Sequence, residues 1–133
     1  MTKTDFGKEG EKLAAAALES AGMEIIARNF RSKYGEIDII AFKGETIVFT
    51  EVKASASYGL EDLQYAVDSR KQRKIIKTAK YFLSENRKYS RMSIRFDVVF
   101  ISRTPAGCQT LDKCQTPSGC QVTHLASAFT EGV

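Results

Sequence analysis

Two carboxylates and an ammonium stand where the sheet of a small protein is expected to be apolar. Asp38 interrupts the run GEIDIIAF, and Glu51-Val52-Lys53 closes FTEVK. In an extended strand, residues two apart share a face. Phe49, Glu51 and Lys53 therefore project together, Val48, Thr50 and Val52 face the other way, and Asp38 shares its face with Ile40. If the strands on either side of Lys43-Gly44 pair as a hairpin, Asp38 comes near Glu51 with a modest adjustment of register. Two carboxylates held together repel unless positive charge lies between them. A divalent cation would supply it, and all-oxygen ligands point to Mg²⁺ or Mn²⁺ rather than zinc. The Val52 carbonyl would be a further hard ligand. Lys53 would then orient the attacking water or stabilise charge on a phosphoryl group. The alternative is an ion network at a strand end, since edge strands use Lys defensively. Spacing alone leaves both readings open.

The elements that must hold these residues follow from periodicity. Residues 5–21 read as a helix with Leu13, Ala14, Ala17, Leu18 and Ala21 on one apolar face, Asp5 as its cap and Gly22 as its stop. At 3.6 residues per turn, Glu11 falls at the border of that face, aimed towards the sheet or engaged as a rim carboxylate by Lys8 or Arg28. A strand MEIIARNF follows, then polar RSKY, then strands at about 36–42 and 46–53 around Lys43-Gly44. ASASYGLEDLQYA reads as a loop leading to a short helical turn. Asp68 caps a helix over 69–85, in which Ile75, Ile76, Ala79, Phe82 and Leu83 keep helical spacing. RFDVVFIS is a mostly buried strand, far enough from the 46–53 strand for a parallel crossover. This order predicts an α/β domain with helices covering a mixed sheet. The tail 104–120 is expected to be an irregular, cysteine-bearing segment, and HLASAF a short last element docking on the core.

The 133 residues suit one domain, with 43% hydrophobic and 27% charged residues. No run approaches the roughly 18 apolar residues of a membrane span. MTKTDFGKEGEK lacks the apolar core of a secretory signal, so the expected location is cytoplasmic and no membrane partner is expected. The formal charge is only +4, but ten basic residues between Asp68 and Arg95 face only two acids, leaving the rest of the chain net negative. A polyanion partner, or simply a solvated basic helix face, fits that distribution. Cys108, Cys114 and Cys120 form an odd set, which argues against a secreted disulfide framework. Their wide, even spacing with His124 is poor for a zinc knuckle, so free thiols are expected.

Taken together, GKEGEKLAAAAL, GEIDIIAF, FTEVKA, AVDSRKQRKIIKTAKYFL, RFDVV and HLASAF resemble the uncharacterised bacterial YraN-like proteins, protein family 0102, over residues 6–103 and 122–129. That family is similar in turn to the restriction-endonuclease-like superfamily, and within it to archaeal Holliday-junction resolvases. There an early helix supplies a Glu, one strand an Asp, and the next strand ends in Glu-x-Lys. By position these are Glu11, Asp38, Glu51 and Lys53. The resemblance implies a restriction-endonuclease-like fold and Mg²⁺- or Mn²⁺-dependent cleavage of DNA, most readily branched DNA. Asp38, Glu51 and the Val52 carbonyl would be ligands, with Glu11 assisting directly or through water.

The resemblance also implies roles around the site. Glu36 would hold a ligand or a basic side chain, and Gln64 would contact the site. Lys71 would meet a phosphate, with Arg70, Arg73, Lys74 and Lys77 adding backbone contacts. Asp97 is expected to be a structural partner of Arg95, and His124 a packing or hydrogen-bonded residue. The chain departs from the family at TEVKASAS, where a further basic residue is usual after the Lys, and in the longer 104–120 segment. A catalytically silent DNA-binding adaptor is the alternative function. Symmetric cutting would need two sites, hence a homodimer.

Overall fold

The computed structural model describes residues 3–55, 67–103, 114–115 and 120–130. In chain order these form α1 (Lys3–Ser20), β1 (Glu24–Ser32), β2 (Gly35–Lys43), β3 (Thr46–Ser55), α2 (Ser69–Glu85), a 3₁₀ turn (Arg87–Tyr89), β4 (Ser93–Arg103), β5 (Cys114–Gln115) and β6 (Cys120–Phe129). The strands lie in one sheet in the order β1-β2-β3-β4-β6-β5. β3 and β4 run parallel and the remaining pairs antiparallel. This is a mixed central sheet flanked by helices, with restriction-endonuclease-like topology.

Alternation along the inner strands divides the interior into two cores. Ala14, Ala15 and Leu18 of α1 pack on Ile39, Ala41, Val48, Val99 and Ile101. Ile75, Ala79 and Phe82 of α2 pack on Ile37, Ile40, Ile47, Phe49, Phe96 and Val98 on the opposite face. The crossover between β3 and β4 thus carries the basic helix α2 across one face of the sheet.

Both helices have sharply defined ends. After α1, Gly22 takes φ +90°. Its N–H bonds Glu19 O, and Met23 N–H bonds Leu18 O at 3.0 Å, a Schellman ending. Lys43, the last residue of β2, donates to Ala21 O at 2.8 Å. Near its middle α1 comes so close to the sheet that a Cβ on Gly10 would stand 3.1 Å from Ala54 Cβ. This close approach beside the end of β3 draws the next residue, Glu11, towards the candidate site. At α2, the Asp68 carboxylate accepts Lys71 N–H at 2.9 Å, as expected for its cap.

Two expectations need correction. α1 already includes Lys3, so Asp5 lies within the helix and not at the position before it. HLASAF is not a short last element, because it belongs to β6, a strand of ten residues with β5 paired beside it; most of the 104–120 segment lies outside the described residues. β6 gains its regularity from antiparallel pairing with β4, which the weakly alternating Ala-Ser-Ala composition does not announce.

Candidate functional site

The regular pattern of β2 breaks at Asp38. Ile37 and Ile39 are two residues apart yet belong to opposite cores. The β1–β2 pairs bracket this point as Phe30↔Ile37 and Arg28↔Ile39, and Asn29 between them has φ +54°. On the other side, the β2–β3 ladder stops at Ile39↔Thr50, while β3 continues to Ser55 beside β4. Asp38 fills the opening that results. Its Oδ2 accepts the Val52 N–H at 2.7 Å, so its carboxylate takes the place of a missing ladder carbonyl instead of standing on the Ile40 face. A strand residue turns its N–H and C=O the same way, so the Val52 carbonyl also faces this opening.

Glu51 is buried next to it, with 5% of its side chain exposed, and its Oε1 lies 2.7 Å from Lys71 Nζ. Asp38, half-buried, is pushed up to about 7, chiefly by burial and then by the neighbouring charge of Glu51. Glu11 and Glu36 push the same way, while the Val52 N–H opposes them. For Lys71, burial works against the ammonium, but the hydrogen bond and charge of Glu51, with Asp38 and Glu36 behind it, raise its affinity for the proton. The site therefore has a surplus of negative charge that Lys71 offsets in part.

The other candidate residues fall around this pair. Glu11 is half-buried and acts on Asp38 through its charge. Lys53, two residues beyond Glu51 and half-buried, has no hydrogen bond or ion pair among the described residues. Glu36 holds the basic side chain of Arg31 at 3.4 Å on the surface. Arg70, Lys71 and Lys74 line a groove of about 490 Å³ with Gly35, Glu36, Asp68 and Ile75. Arg73 and Lys77 are exposed on α2 outside that groove. Gln64 and Cys108 lie outside the described residues, as do the side chains of Cys114 and Cys120.

Asp38, Glu51 and the Val52 carbonyl are hard oxygen donors about one opening. That set suits Mg²⁺, which binds through one or two carboxylates and keeps several waters. Among the described residues, no group of three or more His, Cys, Asp or Glu side chains could hold a metal, so Glu11 is not drawn into a common ligand cluster with them. The sequence did not reveal that Lys71 pairs with Glu51. Nothing in the spacing of α2 marks which of its cations turns to the sheet.

Asp97 forms a separate centre. Fully buried, it accepts Arg95 Nε at 2.9 Å and Nη2 at 2.8 Å, and the Ser127 N–H at 3.0 Å. His124 Nε2 lies 2.6 Å from its Oδ2. Burial opposes the Asp97 charge, but His124, Arg95 and the Ser127 N–H outweigh it and hold the carboxyl below its ordinary range. An ionised carboxylate can only accept, so Nε2 carries the proton it shares. Asp97 is the partner of Arg95 expected from RFDVV, and His124 is the hydrogen-bonded residue expected of it.

The model for "Uncharacterised protein family UPF0102" matches residues 10–101. Over 124 residues the chain is 42% identical to a UPF0102 protein of Treponema pallidum (strain Nichols), covering 93% of this chain and 91% of that one. It is 50% identical over 105 residues to the UPF0102 protein of Syntrophus aciditrophicus, covering 77% and 80%. The UPF0102 protein of Rhodococcus opacus is 50% identical over 97 residues, covering 72% and 80%.

Proposed function

Because this chain belongs to uncharacterised protein family UPF0102, whose residues carry the nuclease resemblance, we propose that it is a metal-dependent endonuclease acting on branched or otherwise non-standard DNA. The observation that carries this reading is the Asp38–Glu51 pair, set in a sheet opening with its negative charge only partly offset. A Mg²⁺ or Mn²⁺ held there by Asp38, Glu51 and the Val52 carbonyl would supply water activation and offset transition-state charge. The chain's own side chains do the rest. Glu51 must release Lys71 to offer both oxygens, and the freed ammonium is then placed to meet a phosphate. Lys53 orients the water or steadies the phosphoryl oxygens. Glu11 adds negative potential and a route for water-mediated support. Arg70 and Lys74 hold the sugar-phosphate backbone along their groove, and Arg73 and Lys77 extend the field. No base-reading element accompanies them among the described residues, so selectivity is by shape. Paired cuts would require a second copy of the chain.

The test is cleavage of supercoiled, linear, single-stranded, flap and four-way DNA, and of RNA, with Mg²⁺, Mn²⁺ or EDTA. Metal-dependent cutting, reduced about a hundredfold or more in Glu51→Ala and Lys53→Ala, is the expected result. The Glu51–Lys71 pair favours a second reading, since an acid already neutralised by an ammonium can serve a DNA-binding adaptor without turnover. No cutting, with equal and metal-indifferent DNA binding by all three proteins, would establish that reading instead.

A further inference from the structure

α2 leads away from the Glu51–Lys71 pair to a second groove that the cleavage chemistry does not use. It encloses about 400 Å³ and is lined by Tyr34, Lys77, Lys80, Tyr81 and Ser84. Tyr34 and Tyr81 are 40% and 38% exposed, two of the three large hydrophobic side chains that the described residues present to solvent. Their ring centroids lie 6.2 Å apart at 61°. Phe30 backs Tyr81 at 6.2 Å and rests on Phe82 of the core at 5.2 Å, so the pair is mounted on rigid packing. Lys33 Nζ stands 5.2 Å from the Tyr34 ring centre. Exposed aromatic rings set among lysines complement a ligand that is both polyanionic and aromatic.

We propose that the Tyr34–Tyr81 groove is a docking site for a single-stranded segment of nucleic acid, with a base packed against the tyrosines and phosphates on Lys74 and Lys77. A duplex interior hides its base faces, whereas a flap, gap or open branch arm offers them. The two grooves adjoin. Gly35 and Lys74 line the first, and Tyr34 and Lys77, their neighbours in the chain or one helical turn on, line the second. From Lys71 to Tyr81 the helix advances about 15 Å, a distance that a few nucleotides of single strand span. A strand bound at Tyr81 can therefore continue to the carboxylate pair. Only that continuation rests on the nuclease reading; binding at the tyrosines stands without it.

The experiment compares oligothymidylate with an abasic oligonucleotide of equal length and charge. Binding is measured in EDTA by anisotropy, and stacking by quenching of tyrosine emission, which no tryptophan obscures because the chain has none. The wild type is expected to prefer oligothymidylate about tenfold. Tyr34→Ala/Tyr81→Ala loses that preference while matching the wild type on the abasic strand, and Tyr34→Phe/Tyr81→Phe retains it. Equal wild-type affinity for both strands, or a preference that survives the alanine pair, overturns the proposal. If the alanine pair melts early, the wild-type ratio and the phenylalanine pair still decide. A base preference without cleavage would leave this site standing and sink the nuclease; cleavage without base preference would do the reverse.

Discussion

Asp97 and Asp38 are both withdrawn into the same sheet, one on β4 and one on β2, and their surroundings push them in opposite directions. Asp97 meets a guanidinium fork, an imidazole and a backbone N–H, so its charge is compensated on every side and its pKa falls. Asp38 meets one backbone N–H and three acids, Glu51, Glu11 and Glu36, so its pKa climbs to about 7. Burial penalises the charge in both, and the partners decide the outcome. A satisfied buried carboxylate fastens strands together. An unsatisfied one is a standing cost that a fold retains where the charge is wanted for something else.

The harshest test of the contrast is Asp97→Ala. Arg95 and His124 would be left facing an empty place, and the Ser127 N–H, at a residue with φ +53°, would lose its acceptor. The expected loss is about 3–5 kcal/mol, the range for breaking a buried pair by removing one member, read from urea unfolding. A loss below about 1 kcal/mol would mean that β6 is held by its ladder with β4 and that the clamp is incidental.

Asp38→Asn should move stability the other way. The amide oxygen still accepts the Val52 N–H, and the repelled charge is gone. Because the folded pKa, about 7, lies above the ordinary 3.8, the native state holds its proton longer than the unfolded chain does. Stability from this group is therefore complete below about pH 4 and is lost as pH rises through 7. In EDTA at pH 8 the variant should exceed the wild type by about 1–2 kcal/mol, a discounted value because water reaches the site. The advantage should vanish below pH 4, while the cleavage proposed above should be lost at every pH. Melting curves across that range would show it, and an advantage over the wild type no larger at pH 8 than below pH 4 would remove the claim that the pair is under-compensated. Asp97 carries the opposite sign, since its depressed pKa gives stability above about pH 4 that fades as the solution becomes more acid.

Much of this contrast can be read from residue order, and the unread part has one physical cause. The helix 69–85 with its Asp68 cap, the hairpin and the parallel crossover follow from local periodicity and turn chemistry, although the turn itself falls one residue later than expected, at Gly44-Glu45, because Lys43 pairs with Thr46. The proximity of Asp38 to Glu51 follows from hairpin register. The turn of Asp38 into the sheet opening does not, because it goes with the place where the β2–β3 ladder ends, a matter of strand pairing and not of local sequence. β6 is longer than its residues suggest, because its Ala and Ser carry little alternation and its regularity comes from β4. The Tyr34–Tyr81 groove is likewise invisible in the sequence, since a turn and the last part of a distant helix build it together.

The smallest predicted effect concerns Lys71, which decides how far Asp38–Glu51 differs from Asp97. Both acids of β3 and β4 have a basic partner, but Arg95 is a fixed fork within its own strand, whereas Lys71 is a flexible stem reaching from another element, with 41% of its side chain exposed. Lys71→Met keeps much of that stem and removes the charge. In EDTA it should cost about 1 kcal/mol, as for pairs with one partner in water. Added Mg²⁺ should restore the loss, because ligand binding stabilises the state that holds it, and calorimetry should record Mg²⁺ binding several-fold tighter than in the wild type. That result would make the ammonium a movable occupant of the place a metal takes. Weaker Mg²⁺ binding in Lys71→Met would instead make Lys71 a fixed part of the site, and the Glu51 pair would then belong beside Asp97 as a clamp.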